Sequence, residues 1–205
     1  MALTLGIVVG LDGCGKTSLI GLMKDVDPSI TVKKVVESGE SRSLQAGETL
    51  RRAQTHMAVW DAMKNDPQGK HHTLIYDRFP YPDDYIYQSG GGLTAEKWPL
   101  YQRTMAEFGA RFILCLLSVW EKYIARQLFT GDIQTDSEDR VYGQKMRYSW
   151  FQRQHAGQED ILVFYKREDR QYWFTREDAT RALQFIRKEG EFEFSSGLVS
   201  VRSGR

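Results

Sequence analysis

The sequence has little of what marks secreted, membrane-spanning or nucleic-acid-coating proteins. Its 205 residues include two cysteines, too few for the disulfide framework of a secreted domain. No apolar run approaches the ~20 residues of a membrane-spanning helix, and residues 1–5 lack the basic stretch of a signal peptide. A formal net charge of +1 argues against an extended nucleic-acid groove and leaves a local basic patch open. These absences predict a cytoplasmic protein without membrane contact.

One stretch organises the rest of the chain: residues 10–18 read Gly-Leu-Asp-Gly-Cys-Gly-Lys-Thr-Ser. An apolar run precedes it and a helical pattern follows, which is the context that gives a G-x-x-x-x-G-K-[ST] match meaning. Its glycines let backbone N–H groups turn toward an anion, and the helix N-terminus adds partial positive charge. The stretch predicts a nucleoside triphosphate site.

The polar side chains of this stretch have separate predicted tasks. Lys16 is a compact cation for the β- and γ-phosphates, and the Thr17 hydroxyl is a ligand for Mg²⁺. The residues predicted to bind ATP are Gly10, Asp12, Gly13, Cys14, Gly15, Lys16, Thr17 and Ser18.

Strand-like and helix-like patterns alternate along the chain, which predicts a parallel sheet with helices on both faces. Strands are predicted at 5–9, 30–36, 73–76, 112–117 and 161–165. Helices are predicted at 18–24, 44–65, 93–109, 121–129, 141–155 and 175–189. The predicted fold class is therefore a three-layer α/β/α phosphate-loop (P-loop) NTPase with a five-stranded parallel sheet. Residues 1–205 form one domain in this interpretation.

Three stretches interrupt the alternation. Residues 130–140 are polar without apolar periodicity and predict a mobile flap, the centre of a flexible lid over about 126–145. Residues 80–92 are rich in tyrosine and predict a loop. In the tail from 190 to 205, residues 191–194 alternate as a short edge strand does, and the residues after them are expected to fray.

Three segments resemble thymidylate kinases and their nucleoside- and nucleotide-kinase relatives. Residues 10–18 are similar to that family's phosphate loop. Residues 77–79, Asp-Arg-Phe, are similar to the Asp-Arg-Tyr at the end of one of its strands. Residues 87–92, Tyr-Gln-Ser-Gly-Gly-Gly, are similar to its Tyr-Gln-Gly-Gly-Gly segment. The resemblance spans about 3–187, although most residues between the segments do not match. It implies transfer of the γ-phosphoryl group of ATP to a small deoxynucleoside monophosphate, and a homodimer.

The resemblance also implies roles for single residues. Asp77 would hold Mg²⁺, and Arg78 would clamp the acceptor phosphate with its guanidinium fork. Asp12 would face the acceptor sugar or the metal, and Tyr87 would pack under that sugar. The implied catalytic residues are Lys16, Asp77, Arg78, Arg126 and Arg140, with the two last arginines bracketing the flap.

Other interpretations of these residues stay open. Arg78 also fits an ion pair with Asp83 or Asp84, and Tyr87 also fits ordinary packing. Because the loop after Asp77 is one residue longer than in the bacterial enzymes, Tyr85 or Ile86 is an alternative at the sugar. Arg126 and Arg140 also fit solvated helix positions.

The sequence departs from the family pattern in two places. Val-Glu-Ser-Gly at 36–39 replaces Arg-Glu-Pro-Gly, so Arg42 is the candidate for the missing arginine. The family's thymine-binding Phe-x-x-x-Arg has no clean counterpart; Arg52 is the nearest candidate, with Trp60 as a stacking surface. The predicted substrate-binding residues are Asp12, Arg42, Arg52, Trp60, Arg78, Tyr87 and Gln88.

Two other functions compete with the monophosphate kinase. A kinase for a hydroxyl group of a deoxynucleoside or of a modified base in DNA would use Asp77 as a general base and would not need a phosphate clamp. A nucleotide-binding switch would use the phosphate loop without turnover. The ligand of Arg78 separates the two kinases, and turnover separates both from the switch.

Overall fold

The computed structural model describes residues 3–10, 14–35, 48–68, 70–87, 98–117, 138–155, 160–166, 174–190, 192 and 199–201. Its strands are β1 (Leu3–Gly10), β2 (Thr31–Lys33), β3 (His72–Asp77), β4 (Arg111–Leu117), β5 (Ile161–Lys166) and β6 (Val199–Val201). Its helices are α1 (Lys16–Val26), α2 (Glu48–Lys64), α3 (Pro80–Tyr87), α4 (Trp98–Glu107), α5 (Glu138–Gln154) and α6 (Arg176–Arg187).

The strands form one parallel sheet in the order β2-β3-β1-β4-β5-β6. The apolar run of β1 lies at the centre, where both faces of a parallel strand are covered. Val8 pairs with Asp77 and Gly10 with Cys115, so the carboxyl ends of β1, β3 and β4 meet at one edge. This edge, called the site edge below, is where ligands bind in open α/β sheets. The predicted fold class is confirmed.

A sixth strand extends the five that the sequence predicts. Val199–Val201 pairs in parallel with β5, with Val199 opposite Leu162. The expectation that this part of the tail frays is wrong, because the open edge of β5 offers a partner to a short β-branched segment. The predicted edge strand at 191–194 lies outside the described residues, apart from Phe192.

Helix α6 begins where the sequence predicts a cap. The Thr175 side chain accepts a hydrogen bond from the Asp178 backbone N–H, and the Asp178 carboxylate accepts one from Thr175 N–H, which is a capping box. Its apolar face packs on α1 and on the sheet. A Cβ on Gly6 would lie 2.6 Å from Ile186 Cδ1, so a larger residue there would require the Ile186 side chain to shift.

Two predicted loops contain helices. Residues 80–87 form α3, with non-helical backbone at Tyr81, although they were predicted to be a loop. Prolines are tolerated in a first helical turn, and Asp83 there complements the helix dipole. Residues 138–140, predicted as the end of the flap, are the first residues of α5. Most of the predicted flap, the helix at 121–129 and the segment at 88–92 lie outside the described residues.

Among the described residues, no helix combines the length and the apolar character needed to cross a membrane.

Candidate functional site

The phosphate-loop motif lies between β1 and α1, as its sequence context predicts. Gly10 ends β1 with φ +144°, and a Cβ there would lie 2.2 Å from the Cys115 carbonyl oxygen, so only glycine fits. Gly15 caps α1 with φ +76°. Lys16 is the first residue of α1 and is 6% exposed, whereas the side chains of Thr17 and Ser18 are exposed. The loop therefore presents a lysine and two hydroxyls at a helix N-terminus.

Asp77 ends β3 beside this loop. Its carboxylate is 9% exposed, and the Lys34 Nζ lies 3.4 Å from its Oδ2. Burial raises the pKa of the neighbouring Cys115 thiol far above its usual range; the charge of Lys16 opposes this shift and that of Asp77 adds to it.

Lys34 is a cation at the site edge that the sequence prediction missed. It follows β2 directly, and β2 pairs with β3, so its ammonium reaches Asp77 across the sheet. The available signal was weak, because Lys34 falls inside the strand predicted at 30–36, whereas β2 ends at Lys33 and leaves Lys34 at the edge where ligands bind.

Arg78 continues from Asp77 with a left-handed backbone, φ +71°. Its N–H donates to the Val8 carbonyl at 3.0 Å, which holds the turn against β1. Its Nη1 donates to Asp83 Oδ2 at 3.1 Å, and the Asp83 side chain is only 11% exposed. The ion pair considered in the sequence exists, and its carboxylate is buried. A guanidinium has five N–H donors, so one bond to Asp83 is compatible with a phosphate clamp.

Trp60 is a core residue, which contradicts its predicted role as a stacking surface. The side chain is 0% exposed, and its Nε1 donates to the Tyr76 hydroxyl at 2.9 Å. Its ring contacts Tyr76, Phe79 and Phe108 with centroid distances of 5.0–5.4 Å. These rings leave no face of the indole for a nucleobase.

Arg52 lies on the same face of α2, toward the site edge. Its Nε donates to Glu48 Oε1 at 3.1 Å, and Glu48 also accepts two hydrogen bonds from Arg51. These two guanidinium groups, Arg51 first, lower the pKa of Glu48 to about 2. Arg52 is therefore oriented by a carboxylate of its own helix, and its side chain stays 32% exposed.

His56 lies between Arg52 and Trp60 on this face, and the sequence prediction missed it. Its Nδ1 is 2.9 Å from the Tyr76 hydroxyl, and the two rings meet edge to face. Tyr76 directly precedes Asp77 on β3, so the histidine is half-buried close to the site edge. A lone histidine in a helix gives no sequence signal for such a contact.

A second histidine connects α3 to the end of α5. The buried His155 has Nε2 at 2.7 Å from the Tyr81 hydroxyl and Nδ1 at 2.8 Å from Asp160 Oδ2. Burial raises the pKa of Tyr81, with a further contribution from the Asp160 charge, so its hydroxyl stays protonated and donates to Nε2. The His155 Nδ1–H then donates to the carboxylate. This chain ties the helix that carries Asp83 to α5.

The remaining predicted site residues are not tested. Asp12, Gly13, Arg42, Gln88 and Arg126 lie outside the described residues. The backbones of Tyr87 and Arg140 belong to α3 and α5, but their side chains are not described. Their roles stay predictions.

The fold, with a glycine-rich stretch before α1 and a carboxylate at the end of β3, is the three-layer α/β/α fold of P-loop NTPases. No protein-family model and no curated protein matches the chain. Among solved structures it is similar to the YorR protein of Bacillus subtilis in complex with phosphorylated GDP, with a TM-score of 0.59 and 14% identity over 90% of this chain and 96% of that one. It is also similar to a deoxyadenosine kinase from M. mycoides with dCMP and dCDP, with a TM-score of 0.46 and 12% identity over 89% and 96%.

Proposed function

We propose that the protein is an ATP-dependent nucleotide kinase that transfers the γ-phosphoryl group to a deoxynucleoside monophosphate of the thymidylate type. The observation that carries the proposal is the position of Arg78. It follows Asp77 at the site edge, its backbone is bonded to β1, and its guanidinium is anchored by a buried carboxylate. Such a guanidinium is suited to hold an acceptor phosphate opposite the phosphate loop.

Phosphoryl transfer depends mainly on positioning and on positive charge around the transferred group. Lys16, at the first turn of α1, would contact the β- and γ-phosphates. Lys34, within reach of Asp77, would add a second cation on the acceptor side. Arg126 and Arg140 remain the proposed arginines that close over the phosphoryl group.

The donor set fits Mg²⁺ bound together with a nucleotide. Among the described residues no group of three or more potential metal-binding side chains occurs, so a site built of protein ligands alone is not indicated there. Mg²⁺ typically takes one or two protein oxygens and completes its shell with phosphates and water. The Thr17 hydroxyl and the Asp77 carboxylate are the oxygens that would hold it. When bound, Mg²⁺ neutralises charge on the phosphate oxygens.

The test is a panel reaction. The protein is incubated with ATP, Mg²⁺ and separate deoxynucleosides, their monophosphates, and oligonucleotides with a hydroxymethylated base. We expect deoxynucleoside monophosphates to become diphosphates, Lys16→Ala to abolish the reaction, and Lys24→Ala, an exposed change on the same helix, to leave it intact. Phosphate on a hydroxyl group and not on a monophosphate would reject this function in favour of a hydroxyl kinase. Absence of any product with wild-type protein would favour the switch.

A cytoplasmic location and a homodimer are part of this proposal and follow from the sequence and its family resemblance alone.

A further inference from the structure

Three aromatic side chains form a hydrogen-bond chain that fixes where the proton of a histidine lies. Trp60 Nε1–H can only donate, so the Tyr76 hydroxyl accepts its bond at 2.9 Å. The Tyr76 proton is then directed to His56 Nδ1, also at 2.9 Å. Nδ1 is therefore an acceptor, and the neutral His56 ring carries its proton on Nε2.

The surroundings keep this arrangement at neutral pH. Burial lowers the pKa of His56 below its usual value, and the positive charge of Lys33 lowers it further. Burial also raises the pKa of Tyr76 to about 12, although the Trp60 hydrogen bond opposes this. The histidine stays neutral and the tyrosine stays protonated. The hydrogen bonds therefore run from Trp60 to Tyr76 and from Tyr76 to His56.

The Nε2–H lies on the side of the ring away from Tyr76. Within the part of the chain that the structure describes, this nitrogen has no hydrogen-bond partner. Glu48, Arg52, His56 and Trp60 follow each other at intervals of four residues and so share one face of α2. Helix α2 ends next to the start of β3, so its N-terminal half lies toward the site edge. The contact with Tyr76 places His56 next to the residue that precedes Asp77, at the site edge.

We propose that His56 Nε2–H donates a hydrogen bond to the nucleobase of the acceptor. Together with Arg52, it would select bases that have a carbonyl oxygen opposite this N–H. The acceptors of this class are 4-oxopyrimidine and 6-oxopurine deoxynucleotides, as opposed to those with an exocyclic amino group at that position. This inference rests on the proposed kinase function. An amino group opposite Nε2–H would leave two donors facing each other, and an unpaired buried donor is costly.

The experiment compares the kcat/KM values of different acceptors with one protein, so a general loss of activity does not affect the result. For wild type and for His56→Asn, kcat/KM is measured with four deoxynucleoside monophosphates. The value for thymidine monophosphate is divided by that for deoxycytidine monophosphate, and the value for deoxyguanosine monophosphate by that for deoxyadenosine monophosphate. Asparagine keeps an acceptor oxygen for the Tyr76 hydroxyl and removes the group at the Nε2 position. The control is His71→Asn, since His71 bonds Thr4 near the opposite end of β1.

We expect wild type and the control to prefer the oxo base about tenfold or more in at least one pair, which is what one unpaired donor costs. His56→Asn should bring that ratio close to one. A wild-type preference for both amino bases, or an unchanged ratio in His56→Asn, would overturn the role of His56 and leave the kinase function standing. Wild-type protein that phosphorylates no monophosphate would overturn the proposed function and this inference with it.

A second measurement needs no substitution. Nitrogen-15 NMR of the wild-type histidines distinguishes a protonated ring nitrogen from an unprotonated one. We expect the His56 signal to show a proton on Nε2 at pH 7. A proton on Nδ1 would show that the Trp60–Tyr76 chain does not direct the ring, and would overturn the proposal even if His56→Asn does not fold.

Discussion

Asp83 orients Arg78: the Arg78 Nη1 lies 3.1 Å from Asp83 Oδ2, and the Asp83 side chain is only 11% exposed. The pair joins the residue after β3 to the first turn of the next helix. Because solvent screens a buried carboxylate less than an exposed one, the guanidinium is held in place before a ligand arrives. The first two predictions concern this pair.

Arg78→Lys should raise the acceptor KM at least tenfold and also lower kcat. Lysine offers a point charge in place of a planar fork, so the acceptor phosphate is bound less tightly and is less well aligned for in-line attack. Steady-state kinetics with the acceptor and ATP varied separately measure this. The KM for ATP should change little, and an unchanged acceptor KM would reject the phosphate clamp and favour a hydroxyl kinase.

Asp83→Asn should raise the acceptor KM by a smaller factor than Arg78→Lys does. The amide keeps the size of the side chain but loses the charge that anchors Arg78. If Asp83 acts through Arg78, the double variant should be no worse than Arg78→Lys alone. Additive losses in this double-mutant cycle would show that Asp83 acts independently of the arginine.

Trp60→Ala should lower the free energy of unfolding by about 3–5 kcal/mol, because it opens a cavity in a packed aromatic core and removes one of the two hydrogen-bond partners of the Tyr76 hydroxyl. Urea unfolding measures the loss. Val59→Ala, an exposed change on the same helix, is the control and should cost far less. A small stability loss combined with a large rise in acceptor KM would restore the stacking role.

Stability should fall as the pH drops below the pKa of an unfolded histidine, near 6.5, because of His56. Its folded pKa is lower than this value, so the unfolded chain binds the proton first. The contribution of neutral His56 to the free energy of unfolding is complete above pH 6.5. It is lost as the pH falls from 6.5 through the pKa of His56 in the folded protein. Urea unfolding between pH 8 and 5 measures it, with His56→Asn as the comparison. If the free energy of unfolding depends on pH equally in wild type and in His56→Asn, the lowered pKa of His56 is contradicted.

The sequence predicted the features whose signals are local. The phosphate-loop motif specifies a preceding strand and a following helix by itself, and Thr175 with Asp178 specifies a helix start. The unbroken apolar character of residues 112–117 indicates a buried parallel strand. Each of these needs only neighbouring residues, and each is confirmed.

The misses depend on contacts between distant residues. Trp60 is a plausible stacking ring in the sequence, and only its packing against Tyr76, Phe79 and Phe108 makes it a core residue. The interaction of Lys34 with Asp77 requires the pairing of β2 with β3. Helix α3 was missed because tyrosines and prolines in 80–87 weigh against a helix.

A hydrogen bond between Gly10 and Tyr148 links two parts of the chain that are distant in sequence. The Gly10 N–H, at the end of the central strand, donates to the Tyr148 hydroxyl at 3.0 Å across 138 residues of sequence. Tyr148 belongs to α5, whose N-terminal turn contains Arg140. Any displacement of α5 as a nucleotide enters must either carry the first residue of the phosphate loop with it or break this bond. Loss of the Tyr148 hydroxyl would therefore remove a direct link between the phosphate loop and α5.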